Sequence, residues 1–181
     1  MRIAALALGA VVVLALAGCT PATHGTSSPT PKPTPVFASD RAALAAAEKA
    51  YAAYLKVSDE VAADGGANPR RLAAYVTSSR LKVESKGASL LVTNGVHTSG
   101  PTKFSDSRLE QVDRTARETL VIFSTCWDVS EVHVLDSSGK DVTPPDRKER
   151  LTLEVTMTTE RGRTPLVLSQ DVPWSGPSLC S

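Results

Sequence analysis

Apolar residues recur every three to four positions in the chain that follows residue 39, which is the spacing of an amphipathic helix. The spacing predicts a long helix over Arg41–Ala63, capped by Ser39 or Asp40 and ended by Gly65–Gly66. One face of this helix should lie in the core. Its residues are Leu44, Ala47, Tyr51, Tyr54, Leu55, Ser58 and Val61.

Two shorter helices should follow the long one. Asn68–Pro69 is typical of a helix N-terminus and predicts a short helix over Arg70–Val76, with Asn68 as the capping residue. Thr77–Ser78 predicts the cap of a third helix over Ser79–Thr93, which should end at Asn94–Gly95.

After residue 101 the helical spacing gives way to alternation of apolar and polar residues, which indicates strands. The predicted strands are Phe104–Val112, Glu118–Val129, Glu131–Leu135, Leu151–Thr158 and Leu166–Val172. The run Leu120–Phe123 is apolar throughout, so we expect both faces of its strand to be covered. Three helices followed by four or five antiparallel strands predict an α+β domain, with the helices packed on a curved sheet.

The N-terminus has the pattern of an export signal. Met1–Arg2 precedes the apolar run Ile3–Ala17, which spans about 22 Å as a helix and is too short for the ~30 Å bilayer core. The run closes with Leu16-Ala17-Gly18-Cys19, which resembles the lipobox of bacterial lipoproteins at all four positions. The resemblance implies cleavage before Cys19 and attachment of acyl chains, including a palmitate-type group, to it. The alternatives are an uncleaved short anchor or an ordinary secretory signal.

These features divide the chain into a signal peptide over residues 1–18, a lipidated Cys19 with a tether over 19–39, and one α+β domain over 40–181. The tether is rich in Thr, Ser and Pro and cannot form a core. The lipobox implies a location on the extracytoplasmic face of the cell membrane, where the lipid anchor makes the membrane itself a partner.

The order and lengths of the predicted elements over Asp40–Trp174 resemble the nuclear-transport-factor-2-like cone fold. In that fold a long N-terminal helix lies across a strongly curved sheet and often encloses a pocket. Cone folds often dimerise through the open sheet face, so the resemblance also implies a homodimer. The lipobox, the Thr/Pro tether and the Ala-rich first helix together are similar to small actinobacterial lipoproteins of uncharacterised role.

Two cysteines remain once Cys19 is assigned to the lipid. In an exported protein Cys126 and Cys180 are an even pair, and we expect them to form a disulfide. Their spacing lacks the Cys-x-x-Cys pattern of a redox pair, which is the alternative interpretation.

Charge and motifs exclude several classes of function. The 181 residues include 20 Lys+Arg and 19 Asp+Glu, and the single excess positive charge is accounted for by Arg2 in the predicted signal. A balanced chain lacks the basic surface that nucleic acids require. Neither metal-ligand spacing nor a nucleotide-binding or nucleophile motif is found, so we expect no metal and no cofactor.

If the domain has a pocket, the resemblance to cone folds makes its lining candidates Tyr51, Tyr54, Trp127 and Asp128. Strand alternation puts Asp128 on the same face as Cys126. A carboxylate near a buried face could act as a general base, whereas an aspartate at a strand end more often accepts backbone N–H bonds from the next turn. No catalytic residue is assigned beyond this candidate.

The leading hypothesis is a non-enzymatic, membrane-anchored domain that binds an unknown protein or small molecule or contributes to envelope architecture. The alternative is a cone-fold enzyme of the dehydratase, isomerase or hydrolase type, with an acid/base residue in its pocket. A solute-binding component of a transporter is disfavoured because such proteins usually need two lobes.

Overall fold

Helix α1 is the longest element of the domain and runs from Asp40 to Ala63. The computed structural model describes residues 37–114, 118–159 and 165–181, so the predicted signal segment, Cys19 and the predicted tether up to residue 36 lie outside it. Ser39 caps the helix, because its side chain accepts a hydrogen bond from the Ala42 amide over 3.1 Å. The predicted first helix is therefore confirmed.

The chain then turns at Gly66, which has a φ of +84°. A Cβ atom at this position would lie 2.2 Å from the carbonyl oxygen of Ala88, so only glycine allows the end of α1 to pack this closely against the following helix. That helix, α2, spans Ser78–Asn94 and is capped by Thr77, whose hydroxyl accepts a hydrogen bond from the Arg80 amide. It ends at Gly95 in the left-handed conformation, as the sequence predicts.

The predicted second helix differs from the observed one. Residues Pro69–Ala74 form a 3-10 helix, and Val76 has left the helix to make a bridge with Leu168. The prediction that Asn68 caps this helix is wrong, because its backbone is left-handed and its side chain makes no capping hydrogen bond.

Six strands in two antiparallel sheets are found among the described residues. The larger sheet has the order β2-β3-β5-β6 and the smaller one pairs β1 with β4. The strand bounds are β1 Val96–Ser99, β2 Lys103–Arg114, β3 Thr119–Asp128, β4 His133–Asp136, β5 Arg150–Thr158 and β6 Val167–Pro173. The α+β architecture expected from the sequence is confirmed.

Strand β1 was not among the predicted strands. The sequence pattern predicts four or five strands and none over Val96–Ser99, where four residues are too few to display an alternation. They pair with β4, so that His97 lies opposite Leu135. The ends of the other strands lie within two residues of the predicted ones.

Helix α1 packs on one face of the larger sheet and forms the core there. Residues that alternate along β3 and β5 point toward the helix, and Phe123, Val155 and Met157 are fully buried among them. On the opposite face of β3, Ser124 and Cys126 are also buried, while Ile122 is half-buried. Strand β3 is therefore covered on both faces, as expected, and its coverage is more complete on the face toward α1.

Candidate functional site

A partly open cleft of about 310 Å³ lies between α1, α2 and the helix-facing side of the larger sheet. Its walls come from both helices, from the segment before β2 and from three strands of the sheet. The lining residues are Tyr54, Leu55, Ser58, Arg80, Thr102, Trp127, Leu153 and Asp171. Aromatic, aliphatic and charged groups therefore converge on one small volume, as in ligand-binding pockets of other proteins.

An ion and hydrogen-bond network centred on Arg80 forms the polar wall of the cleft. Arg80 donates from Nε to Glu84 over 2.6 Å, and its NH1 atom lies 2.6 Å from Oδ1 of Asp171. Tyr54 donates its hydroxyl proton to Glu84 over 2.8 Å, and NH2 of Arg80 lies 3.5 Å from that hydroxyl oxygen. The three charged groups carry a formal net charge of −1.

The network is largely removed from water. The side chains of Arg80, Glu84 and Asp171 are only 15%, 14% and 18% exposed. Burial, and next the negative charge of Glu84, raise the pKa of Tyr54 far above its usual range. Burial alone would lower the pKa of the Arg80 guanidinium, but Asp171 and the other partners raise it overall, so this residue stays charged.

Tyr51 lies beneath the network, in the core. Its ring centroid is 5.2 Å from that of Phe104 and 5.8 Å from that of Phe123, in edge-to-face contacts typical of aromatic clusters. The side chain is fully buried, and its hydroxyl has no hydrogen-bond partner among the described residues. Burial and then the charge of Asp171 raise the pKa of this phenol, so it stays protonated.

A register shift in β6 brings Asp171 into the cleft. Leu168 pairs with Met157 on the helix-facing side, but Gln170 pairs with Thr156, so Ser169 is the extra residue of a bulge. Without that bulge, strict alternation from Leu168 would turn residue 171 away from the helices. The bulge reverses the alternation, so the Asp171 carboxylate points toward Arg80.

The structure separates the four pocket residues considered in the sequence analysis. Tyr54 and Trp127 line the cleft, whereas Tyr51 is buried behind it. Asp128 lies on the other face of β3, because neighbouring strand residues point to opposite sides of a sheet. The expected grouping of Asp128 with the aromatic residues is therefore corrected by the geometry.

Asp128 is bound to its neighbours at the end of β3. Its Oδ1 accepts from the Ser130 amide over 2.8 Å, and its Oδ2 lies 3.1 Å from Nε of Arg150. The hydrogen bonds from Ser130, with the charge of Arg150, lower the pKa of this carboxyl. A general base needs the opposite shift, and this arrangement is instead that of a strand-end aspartate.

Cys126 and Cys180 lie at disulfide distance, with 2.03 Å between their sulfur atoms. The pair holds the C-terminal segment against the outer face of the sheet, where the Leu179 amide also donates to Thr152. It lies on the side of the sheet away from the cleft. Cys19, the predicted lipidation site, is outside the described residues.

Three residues of the candidate site were not predicted from the sequence. Arg80 and Glu84 are four positions apart on a helix, which is the spacing of an ion pair, but it is equally common on solvent-exposed faces. Asp171 could not be recognised as a site residue, because the alternation of apolar and polar residues does not reveal a bulge.

Other surfaces carry less chemistry. A wider groove of about 550 Å³ runs past Gly65, His97 and Ser137, and an apolar groove of about 300 Å³ lies between Phe37 and Leu166. Within the described ranges, no group of three or more His, Cys, Asp or Glu side chains is placed to hold a metal ion. No described helix combines the length and apolar character needed to cross a bilayer.

Comparisons with known proteins support the fold only. No family model matches the chain, and no curated protein sequence matches it. Among solved structures, it is similar to the intermembrane space region of the chloroplast protein ARC6, with a TM-score of 0.52 and 12% sequence identity. The similarity covers 72% of this chain and 95% of that chain.

Proposed function

We propose that this chain is a membrane-anchored extracytoplasmic lipoprotein whose α+β domain binds a small ligand, or a side chain of a partner, without transforming it. The observation that carries the proposal is the cleft beside Arg80, in which a desolvated ion network meets aliphatic and aromatic walls. Buried ion pairs add little net stability to a fold, but they hold polar groups in fixed positions. This property suits a recognition site.

Anchoring through Cys19 rests on the lipobox resemblance. Expression in a bacterial host fed an alkyne-tagged fatty acid should label the protein and place it in the membrane fraction. Cys19→Ser should abolish the label and release the protein. An unlabelled wild-type chain, or labelling that persists in the variant, would contradict the anchor.

Binding is tested with a library of small polar and charged compounds, using the thermal unfolding temperature of the mature chain that carries Cys19→Ser. Ser58→Phe should fill the cleft, since Ser58 lines it, and should abolish the stabilisation produced by any compound that binds there. Ala45→Phe is the matched control, because Ala45 is an exposed position of the same helix. Stabilisation that survives Ser58→Phe would move the binding site elsewhere.

The enzyme alternative receives less support. Among the groups whose pKa is shifted, the two tyrosines and Arg80 move upward, while Asp128, Asp136 and Asp141 move downward. None of these shifts brings a group toward neutral pH, where a general acid or base works best.

A further inference from the structure

We infer that the cleft binds an alkylammonium group, carried by a small amine or by the lysine side chain of a peptide. This inference rests on the proposed function, because it names the ligand chemistry of the same cleft. Four features of the site carry it: its excess negative charge, its open acceptor atoms, its aromatic wall and its size.

The charges of the cleft favour a cation over an anion. Arg80 is the one basic residue of the lining, and its guanidinium is already engaged by Glu84, Asp171 and the Tyr54 hydroxyl. An incoming anion would meet the Asp171 carboxylate in the lining and no unpaired cation. An incoming cation meets the net charge of −1 that the Arg80 network leaves uncompensated.

Two lysines of the adjoining groove do not reverse this charge. Lys56 and Lys103 line that groove together with Asp59, and neither lines the cleft. Lys103 is paired with Glu131, and Lys56 is exposed to solvent. The cleft itself therefore has no second basic group.

Acceptor atoms with spare capacity face the same volume. Arg80 engages Oδ1 of Asp171, and among the described residues no partner is found for Oδ2. The Tyr54 hydroxyl donates to Glu84 and accepts from NH2 of Arg80 over 3.5 Å, which leaves one of its two lone pairs. The Ser58 hydroxyl, which also lines the cleft, makes no hydrogen bond within the described residues. An ammonium group has three N–H donors and no acceptor, which matches this set.

The walls and the volume fit a short alkyl chain behind the ammonium group. The Trp127 indole supplies an aromatic surface, and such surfaces attract cations. Leu55 and Leu153 supply aliphatic contacts. A volume of about 310 Å³ is at the lower end for ligand pockets, so a chain of about four carbons is appropriate.

The test compares three probes of one shape and different charge: n-butylammonium, n-butanol and butyrate. Binding to the mature chain with Cys19→Ser is followed by the NMR signal of the Trp127 indole N–H, assigned with Trp174→Phe. We expect n-butylammonium to bind at least about tenfold more tightly than the other two probes, the difference made by one charge-assisted hydrogen bond. A blocked Gly-Lys-Gly peptide, run beside the free amine, distinguishes the two sources of the ammonium group.

Two carboxylate variants locate the effect. Asp171→Asn should weaken n-butylammonium binding about tenfold, since it removes the open carboxylate and leaves the Arg80–Glu84 pair in place. Asp141→Asn is the matched control, because Asp141 is an exposed carboxylate that pairs with His133 away from the cleft. The comparison of the three probes uses the protein without either carboxylate substitution, so it does not require these variants to fold.

Equal or tighter binding of n-butanol or butyrate would overturn the ammonium inference while leaving a binding cleft in place. A library screen in which only neutral or anionic compounds bind the cleft would also overturn the ammonium inference. If no compound of any charge binds, the proposed function fails together with the inference.

Discussion

Replacing Arg80 with methionine tests whether the network is as desolvated as the structure indicates. The substitution keeps an unbranched side chain of moderate length in α2 but removes the guanidinium that contacts Glu84 and Asp171, each over 2.6 Å. Two carboxylates of low exposure would then be left without their cation. The Tyr54 hydroxyl would also lose its contact with NH2.

The expected cost follows from the exposure of these groups. Removing one partner of a fully buried ion pair costs about 3–5 kcal/mol, whereas a fully exposed pair contributes about 0–1 kcal/mol. The network is 14–18% exposed, which is close to the buried limit. We therefore expect Arg80→Met to lower the free energy of unfolding by about 3 kcal/mol and the midpoint of thermal unfolding by roughly 6–12 °C.

The assay is urea unfolding followed by circular dichroism, with Lys82→Met as the control at an exposed position of the same helix. The control should change the free energy of unfolding by less than about 0.5 kcal/mol. The double variant Arg80→Met/Asp171→Asn should be more stable than the sum of the single effects predicts, because one stranded carboxylate has been neutralised. A loss below about 1 kcal/mol for Arg80→Met would show that the network is solvated and not buried, since that is the value for an exposed pair.

Three further changes test other parts of the fold. Gly100→Ala should destabilise the domain by at least about 2 kcal/mol more than Gly139→Ala. Both glycines have a positive φ, but only a Cβ at Gly100 would meet a backbone oxygen, which is that of Glu131 at 1.9 Å. Equal losses of stability in urea unfolding would contradict this prediction. In Tyr75→Phe, absorbance at 295 nm should not rise before the protein unfolds in alkali, because Tyr51 and Tyr54 have raised pKa values. Their contribution to stability is present below the unfolded pKa of about 10 and is lost as the pH rises above it. A reversible phenolate signal near pH 10 would count against their burial. Cys180→Ser should cost roughly 2–4 kcal/mol, since the pair is 54 residues apart in sequence, and thiol titration of the unreduced parent domain should find no free thiol; two free thiols would reject the bridge.

The elements most visible in the sequence were those with long, regular patterns. The 24 residues of α1 repeat the helical spacing for more than six turns, and Thr77 and Gly95 mark both ends of α2. The 3-10 helix over Pro69–Ala74 was harder, because a proline start is compatible with both kinds of helix and tertiary contact with Leu168 decides where it ends. Strand β1 is defined by its pairing with β4 and has no pattern of its own.

The candidate site was predicted in part. The resemblance to cone folds made Tyr54 and Trp127 lining candidates, and both line the cleft. The same resemblance suggested Asp128, but its contacts with Ser130 and Arg150 at the end of β3 are not visible in the sequence. Asp171 could not be found, since the bulge that turns it inward is a property of two strands together.

Chemical-shift mapping can show whether a ligand binds in the cleft beside Arg80. A compound that stabilises the domain in the library screen is titrated into labelled protein, and the shifted amide and indole signals are assigned. We expect shifts concentrated at Ser58, Trp127 and Asp171, which lie on three different elements around one cleft, and we expect these shifts to disappear in Ser58→Phe. Shifts confined to the β1–β4 sheet, or to the groove between Phe37 and Leu166, would contradict it.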